Sequence, residues 1–296
     1  VIDVLHYKFD LALSDANDTV YGSATIKFKT LIPTPAPAFD LAGLDRSGKG
    51  MLVESIFDGS HKIGYKQGDD RLVLLFNTSL VRGEEKEIII HYKGIPKDGL
   101  IISKNKYGDR TFFADNWPNR AHNWIPCNDV PADKASVEFI VTAPQHYQVI
   151  SNGVQVEETN ISEAMKRTHW KEDSPIPTKV MVIGAARFAV GRLDSLNTIP
   201  VTAWVYPQDM DKGFYDYALA FPILKFFSNY IGPYPYQKLA NVESKTIFGG
   251  MENASAIFYA ESSVTGARKS EDLLAHEIAH QWFGNTATEK SFPHLW

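Results

Sequence analysis

Apolar and polar residues alternate with a period of two through much of the first two hundred residues, and this pattern constrains the fold more than any other feature of the sequence. From Leu5 to Leu13 an apolar residue stands at every second position, and Ala24–Phe28 repeats the pattern. Such alternation is typical of strands with one buried face. Further strands are predicted at Leu72–Phe76, Glu87–Tyr92, Val137–Val141 and Val180–Ile183.

Turn-forming residues separate these predicted strands. They stand at Asn17–Asp18, Asp58–Gly59, Asp69–Asp70 and Asn152–Gly153. Many short strands with polar turns between them favour an antiparallel sandwich or a saddle-shaped sheet. We therefore predict a mainly β N-terminal domain over residues 1–206.

The pattern becomes mixed α/β after about residue 206. Phe214–Ile231 has helical spacing, although Pro222 should start, break or kink a helix there. A strand is predicted through Leu239–Ile247. A further helix is predicted to begin after Ser270, as its N-cap, and to run to Gly284–Asn285, which has the chemistry of a C-cap. We predict a second domain over residues 207–296.

Composition and charge exclude several classes of function. Apolar residues make up 44% and charged residues 22%, as in an ordinary globular protein. The net charge of −5 gives no reason to expect nucleic acid or an anionic membrane as a partner. No apolar run approaches the ~20 residues that span a bilayer. With Cys127 as its single cysteine, the chain forms no internal disulfide, and we expect a soluble protein, either cytoplasmic or exported after removal of a signal peptide.

The last predicted helix contains the sequence His-Glu-Ile-Ala-His at residues 276–280. His276 and His280 are four positions apart, so they lie on one helix face with Cβ atoms about 5–6 Å apart. Two imidazoles at this spacing can bind one zinc ion, at about 2.0–2.1 Å each. Glu277 stands beside them and can accept a proton from water that the metal activates. A surface helix that carries these residues by chance is the alternative interpretation.

A glycine pair and a carboxylate stand a short distance upstream. Gly249 and Gly250 would let a substrate backbone approach closely, and an exposed edge strand there can pair with an extended peptide. The carboxylate of Glu252 beside that edge can neutralise a free α-amino group. Glycine pairs mostly form turns, so the weight of this segment depends on the histidine motif that follows it.

Together, Gly-Gly-Met-Glu-Asn at residues 249–253 and His-Glu-Ile-Ala-His-Gln-Trp-Phe-Gly-Asn at residues 276–285 resemble the paired signature of the aminopeptidase N family of gluzincins, which includes leukotriene hydrolase. Pro-Cys-Asn-Asp-Val-Pro at residues 126–131, with Lys134, and Gly-Pro-Tyr-Pro-Tyr at residues 232–236 are similar to two further segments of that family. The resemblance covers essentially the whole chain. It implies a saddle-like β domain followed by the start of a thermolysin-like α/β catalytic domain.

The resemblance also implies roles for individual residues. His276 and His280 would be zinc ligands and Glu277 the general base. Glu252 would anchor the amino terminus of the substrate. The predicted substrate-binding residues are Gly249, Gly250, Met251, Glu252 and Asn253. One zinc ion is the expected cofactor, and peptides with a free amino terminus are the expected substrates.

Two features depart from the family pattern. The third zinc ligand of the family, a glutamate about nineteen positions after His280, would lie beyond Trp296. We therefore expect a fragment that is inactive by itself and whose zinc site is incomplete or empty. The family also often offers a Glu or Gln about ten residues before Pro126 as a second amine anchor. Asp115 and Asn116 stand there instead, and either an anchoring or a loop-structural role fits them.

We predict that the full-length protein is a zinc-dependent aminopeptidase that removes N-terminal residues with metal-activated water. Two alternatives stay open at this stage. One is a bifunctional enzyme similar to leukotriene hydrolase, which shares both motifs. The other is a catalytically silent interaction module, although such a module has no need of both histidines and Glu277.

Overall fold

The computed structural model describes residues 2–68 and 70–294. In this part of the chain the strands are β1 (Ile2–Ala12), β2 (Val20–Thr30), β3 (Ala38–Asp40), β4 (Gly50–Asp58), β5 (His61–Lys62), β6 (Gly64–Gly68), β7 (Arg71–Leu75), β8 (Glu85–Ile95), β9 (Leu100–Lys104), β10 (Arg110–Ala114), β11 (Lys134–Pro144), β12 (Gln148–Ser151), β13 (Val154–Asn160), β14 (Met165–Pro177), β15 (Ile183–Ala186), β16 (Ala189–Leu196), β17 (Ile199–Val205), β18 (Leu239–Ser244), β19 (Gly250–Met251) and β20 (Ala256–Ala260). The α-helices are α1 (Met210–Tyr217), α2 (Ala220–Tyr230) and α3 (Glu271–Ala279). Short 3-10 helices occur at Ala121–Asn123, Thr178–Val180, Pro207–Asp209, Glu261–Ser263 and Phe292–His294.

An eight-stranded sheet forms the largest part of the N-terminal region. Its strand order is β13-β14-β11-β1-β2-β8-β4-β5, and neighbouring strands are antiparallel except for the parallel pair of β1 and β11. The alternation predicted from the sequence is present: Phe9 and Leu11 of β1 are fully buried, whereas Lys8 between Tyr7 and Phe9 is exposed. The predicted fold class, a mainly β region followed by a mixed α/β region, is confirmed.

Two smaller antiparallel sheets complete this region and share its core. The three-stranded sheet has the order β3-β7-β6, and the four-stranded sheet has the order β12-β15-β10-β9. Phe28 of β2 meets Phe39 of β3 edge to face, with ring centroids 5.5 Å apart. Phe113 of β10 meets Phe258 of β20 at the same centroid distance of 5.5 Å. The hydrophobic core therefore continues from the N-terminal sheets into the later part of the chain.

A mixed five-stranded sheet carries the later part of the chain. Its order is β16-β17-β18-β20-β19, with β18 parallel to both of its neighbours and β19 at one edge. The predicted domain boundary at 206/207 falls between β17 and β18, which pair in this sheet. That boundary remains a prediction, and the sheet groups β16 and β17 with the later strands.

The predicted helical segment Phe214–Ile231 forms two helices, α1 and α2. The helical structure is interrupted between them at Ala218 and Leu219, and Pro222 lies in the first turn of α2. A proline is tolerated there because amides of the first turn have no partner within the helix. None of the helices within residues 2–68 and 70–294 has the length and apolar character needed to cross a membrane.

Three predicted elements are wrong at their boundaries, because each extends three residues or more past the observed strand or helix. The strand predicted through Leu239–Ile247 ends at Ser244. Of the predicted strand Val180–Ile183 only Ile183 belongs to a strand, because the carbonyl of Val180 accepts a hydrogen bond from the Asn152 side chain, at 2.8 Å, instead of joining a ladder. The helix predicted to run to Gly284–Asn285 ends at Ala279. Beyond that point the amides of Gln281 and Trp282 bond to carbonyls three residues back, at 3.1 Å each, and these tighter turns end the α-helix.

The capping prediction at the start of α3 is also corrected. Ser270 does precede the helix, but its hydroxyl donates to the carbonyl of Ser263 at 2.9 Å and makes no capping bond. The acidic first turn, Glu271 and Asp272, opposes the positive end of the helix dipole. Of the predicted turn at Asp69–Asp70, Asp69 lies outside the described residues.

Asn152 joins the N-terminal region to the later sheet. Its buried amide nitrogen donates to the carbonyls of Val180, at 2.8 Å, and Ala254, at 2.7 Å, and its oxygen accepts from the amide of Val182 at 2.7 Å. We expect Asn152→Ala to lower the free energy of unfolding by about 3 kcal/mol, because three buried backbone groups lose their partner. Denaturant unfolding of the two proteins measures the difference.

A matched control is Asn160→Ala at the exposed end of β13, for which we expect a change within about 0.5 kcal/mol. An equal effect of the two substitutions would contradict the joining role of Asn152.

Candidate active site

The two histidines predicted as ligands face each other at the C-terminal end of α3. The Nε2 atoms of His276 and His280 are 3.0 Å apart, and the ring planes meet at 83°. Two nitrogens bound to one tetrahedral zinc ion at about 2.0–2.1 Å each are about 3.3–3.4 Å apart. The helix therefore brings both imidazoles to a distance that fits one zinc ion after a small adjustment.

The protonation of both rings suits a metal. Nδ1 of His280 lies 2.8 Å from the carbonyl oxygen of Phe283, so Nδ1–H donates and the lone pair of Nε2 is left for a ligand bond. Partial burial lowers the pKa of His276, and the neighbouring His280 lowers it further against the opposing effect of Glu252. Within the described residues no group of three or more His, Cys, Asp or Glu side chains is arranged to hold a metal ion, so the pair forms half of a tetrahedral shell.

Glu277 is the buried carboxylate of the site. Its side chain is largely inaccessible, and burial, with a contribution from the nearby charge of Glu252, raises the pKa of Glu277 to about 8. The carboxylate packs directly against the backbone of Gly250, where an added Cβ would lie 2.3 Å from Oε1 of Glu277. The glycine is thus required by the position of this carboxylate.

The segment 249–253 lies along the edge of the five-stranded sheet. Gly250 and Met251 form β19, which among residues 2–68 and 70–294 pairs only with β20 and leaves its other side without a strand. Glu252 follows directly, and its backbone carbonyl accepts hydrogen bonds from the side chains of Gln281, at 3.0 Å, and Asn285, at 2.7 Å. These two bonds hold the glutamate against the turns that follow α3.

The five predicted substrate-binding residues do not all reach the same cavity. Gly250, Met251 and Glu252 line a cleft of about 460 Å³ together with His276, Glu277 and His280. Gly249 and Asn253 are not part of its lining, and the side-chain amide of Asn253 is fully buried without a hydrogen-bond partner among the described residues. Gly250, Met251 and Glu252 therefore border the cleft, and the substrate-binding role of all five residues remains a prediction.

Other side chains that line the cleft had no individual signal in the sequence. Trp117 and Phe248 meet edge to face, with centroids 5.4 Å apart, and form an aromatic wall. Lys179 and Glu289 form an ion pair at 2.8 Å, with side chains only 3% and 4% exposed. Because the two residues are 110 positions apart, the sequence alone does not indicate that they form an ion pair.

Asp115 and Asn116 serve the loop structure. Asp115 pairs with Arg120, and its other oxygen accepts from the hydroxyl of Thr246 at 2.8 Å. Asn116 donates to the carbonyl of Met181 at 2.6 Å and accepts from the indole of Trp124 at 2.8 Å. Both side chains are buried, and neither lines the cleft.

Comparisons with known proteins match most of the chain. The family model described as the Peptidase M1 N-terminal domain matches residues 4–180, and that of the Peptidase family M1 domain matches residues 215–296. Aminopeptidase N of Rattus norvegicus is 27% identical over 301 residues, which cover 95% of this chain and 29% of the rat protein. Leukotriene A-4 hydrolase of Xenopus laevis is 25% identical over 228 residues, which cover 74% of this chain and 37% of that protein.

The fold is also that of a solved structure, an M1 zinc metallopeptidase from Deinococcus radiodurans. The TM-score is 0.80 at 20% identity, and the match covers 98% of this chain and 66% of that one. The chain spans only about a third of the length of the two curated relatives above.

The contact between Gly250 and Glu277 yields a prediction with an internal control. We expect Gly250→Ala to lower the free energy of unfolding by about 1–3 kcal/mol, because the new methyl group displaces the buried carboxylate. Gly249→Ala is the matched control, since its Cβ would meet nothing closer than Leu273 Cδ1 at 3.9 Å. Thermal or denaturant unfolding compares the two variants, and equal stabilities would contradict the proposed fit.

Proposed function

Because the chain belongs to peptidase family M1, we propose that the protein is a zinc-dependent aminopeptidase that hydrolyses the first peptide bond of peptides with a free amino terminus. The observation that carries this proposal is the convergence of three groups on one cleft. The two Nε2 atoms of His276 and His280 stand 3.0 Å apart, and the buried carboxylate of Glu277 lines the cavity beside them. These groups would supply the two metal ligands and the base that metal-assisted hydrolysis uses.

His276 and His280 are the proposed ligands of one zinc ion. When bound, zinc supplies a Lewis acid that polarises the scissile carbonyl and makes water more acidic. Glu277 then accepts the proton of the attacking water at its carboxylate and passes it to the nitrogen of the leaving amine. Packing against the backbone of Gly250 holds the Glu277 carboxylate in the cleft beside the two histidines.

Glu252 is proposed to restrict the enzyme to the amino end of a chain. Its side chain is 9% exposed and borders the cleft, so a substrate ammonium group placed there would form a charge-assisted pair in a poorly solvated position. A peptide that continued upstream would bring an uncharged amide to the same carboxylate and would leave its charge unpaired. The open edge of β19 offers backbone groups to the first residues of the substrate.

Two imidazoles are not a complete catalytic zinc site, which usually has three protein ligands. The family resemblance predicts a glutamate about nineteen positions after His280, beyond residue 296. Leu295 and Trp296, which precede that position in the resemblance, lie outside the described residues. The experiments that follow use the full-length protein.

The base assignment predicts a separation of metal binding from turnover. Glu277→Gln keeps the shape of the side chain and both histidines, so we expect normal zinc content and a rate lower by ~10²–10⁴-fold, the usual contribution of a positioned base. Zinc analysis and hydrolysis of an aminoacyl-anilide are measured on the same preparation. Glu271→Gln, in the exposed first turn of the same helix, is the control and should retain full activity. A Glu277→Gln rate within about tenfold of wild type would rule out this role.

The anchor assignment predicts a preference for charged amino termini. We expect Glu252→Ala to reduce kcat/KM for a free-amine peptide by about 30- to 1,000-fold, the usual value of a desolvated charge-assisted contact, with zinc content preserved. The amino-acetylated form of the same peptide serves as the substrate control. If the wild type cleaves both forms equally well, Glu252 does not read the ammonium charge.

A further inference from the structure

A lysine of the N-terminal region binds the turns that follow α3. Lys134, at the start of β11, donates from Nζ to the backbone carbonyls of Asn285, at 3.1 Å, and Thr286, at 2.7 Å. Burial lowers the pKa of Lys134, opposed by Glu289 and reinforced by Lys179. A partly desolvated ammonium group that faces carbonyl oxygens is a strong local constraint, because both sides lose their hydration on separation.

The same turns fix two residues of the cleft, the candidate zinc ligand His280 and the candidate amine anchor Glu252. The amide of Asn285 donates to the carbonyl of His280 at 3.1 Å, and Nδ1 of His280 donates to the carbonyl of Phe283 at 2.8 Å. The Asn285 side chain donates to the carbonyl of Glu252 at 2.7 Å. Asn285, whose carbonyl accepts a hydrogen bond from Lys134, therefore also bonds to His280 and Glu252.

A second lysine of the N-terminal region contacts the same stretch. Lys179, on the 3-10 helix Thr178–Val180, pairs with both carboxylate oxygens of Glu289, at 2.8 and 3.0 Å. Residues 285–289 are thus bound at both ends by lysines of the N-terminal region. Within these turns the backbone adds few bonds of its own, such as the 2.8 Å bond from the amide of Gly284 to the carbonyl of Ala287.

We propose that Lys134 is a positioning residue for the metal site, because it fixes the turn at residues 283–286. The Phe283 carbonyl of this turn orients the His280 ring, and the side-chain amide of Asn285 holds the backbone carbonyl of Glu252. This inference rests on the proposed zinc site at His276 and His280. It assigns to the N-terminal region a part in metal binding although that region supplies no ligand. Hydrogen bonds that orient a ligating imidazole typically change metal affinity by about 10- to 100-fold.

Lys106 provides a matched comparison, because it also reaches from the N-terminal region into the later sheet. Its Nζ lies 2.6 Å from Asp209 and 2.7 Å from Glu243 of β18. Neither partner makes a hydrogen bond to His280, Glu252 or the turn at residues 283–286 within the described residues. Removal of the Lys106 ammonium group therefore weakens a contact between the two regions and leaves the contacts around the proposed zinc site in place.

The test is made on the full-length protein with Lys134→Met and Lys106→Met, which keep most of the aliphatic stem and remove the ammonium group. We expect Lys134→Met to raise the zinc dissociation constant, measured by chelator competition, by about 10- to 100-fold, and Lys106→Met to change it by less than about twofold while lowering the unfolding temperature. The visible spectrum of the cobalt-substituted protein should change in Lys134→Met alone. Equal zinc affinity in wild type and Lys134→Met, or equal losses in both variants, would overturn the positioning role.

Hydrogen exchange on the wild type supplies a test that does not depend on the folding of a variant. Since coupling is reciprocal, zinc must strengthen the contact at Lys134 as that contact strengthens zinc binding. We expect zinc to slow amide exchange at residues 280–286 and at the start of β11, and to leave residues 105–109 around Lys106 unchanged. Unchanged exchange at the start of β11 would overturn the inference alone, whereas a wild type that binds no zinc would overturn the proposed function itself.

Discussion

Irregular backbone inside the molecule needs hydrogen-bond partners, and the junction between the N-terminal sheets and the later sheet depends on the side chains that supply them. Asn152 donates to two carbonyls from different parts of the chain, and the fully buried Lys238 donates to the carbonyl of Ser151 at 2.7 Å. Gln281 and Asn285 both donate to the carbonyl of Glu252. The cleft lies beside this junction and its walls come from both regions, with Trp117 and Lys179 from the first and Glu252 and His280 from the second.

Much of the fold follows from periodicity, and the errors have two physical origins. β1, β2 and β8 each bury one face, so alternation predicts them well. β15 and β18 are buried on both faces and have no period of two. An apolar run without alternation does not reveal where its backbone partners are, which is why Val180–Ile183 was assigned to a strand. The end of α3 has a different cause, because the amides of Gln281 and Trp282 bond to carbonyls three residues back and the sequence pattern does not reveal this.

The candidate site could be predicted only for residues that are close to one another in the sequence. His276, Glu277 and His280 lie within five residues on one helix, so their convergence follows from helical geometry. Trp117, Lys179 and Glu289 reach the same cleft from distant parts of the chain, and nothing in their local sequence indicates it. Asn253 shows the converse: membership in a motif did not bring its side chain into the cavity.

The two-residue length of β19 also affects how the protein behaves among other copies of itself. Any open sheet edge is a template for the strand of another molecule, and long apolar edges lead to aggregation. Here the open edge is limited to Gly250–Met251, and the carboxylate of Glu252 follows immediately. An edge this short has too few backbone groups to hold a second chain in register, and the charge beside it disfavours an uncharged strand. The brevity of this edge thus protects the molecule from self-association through it.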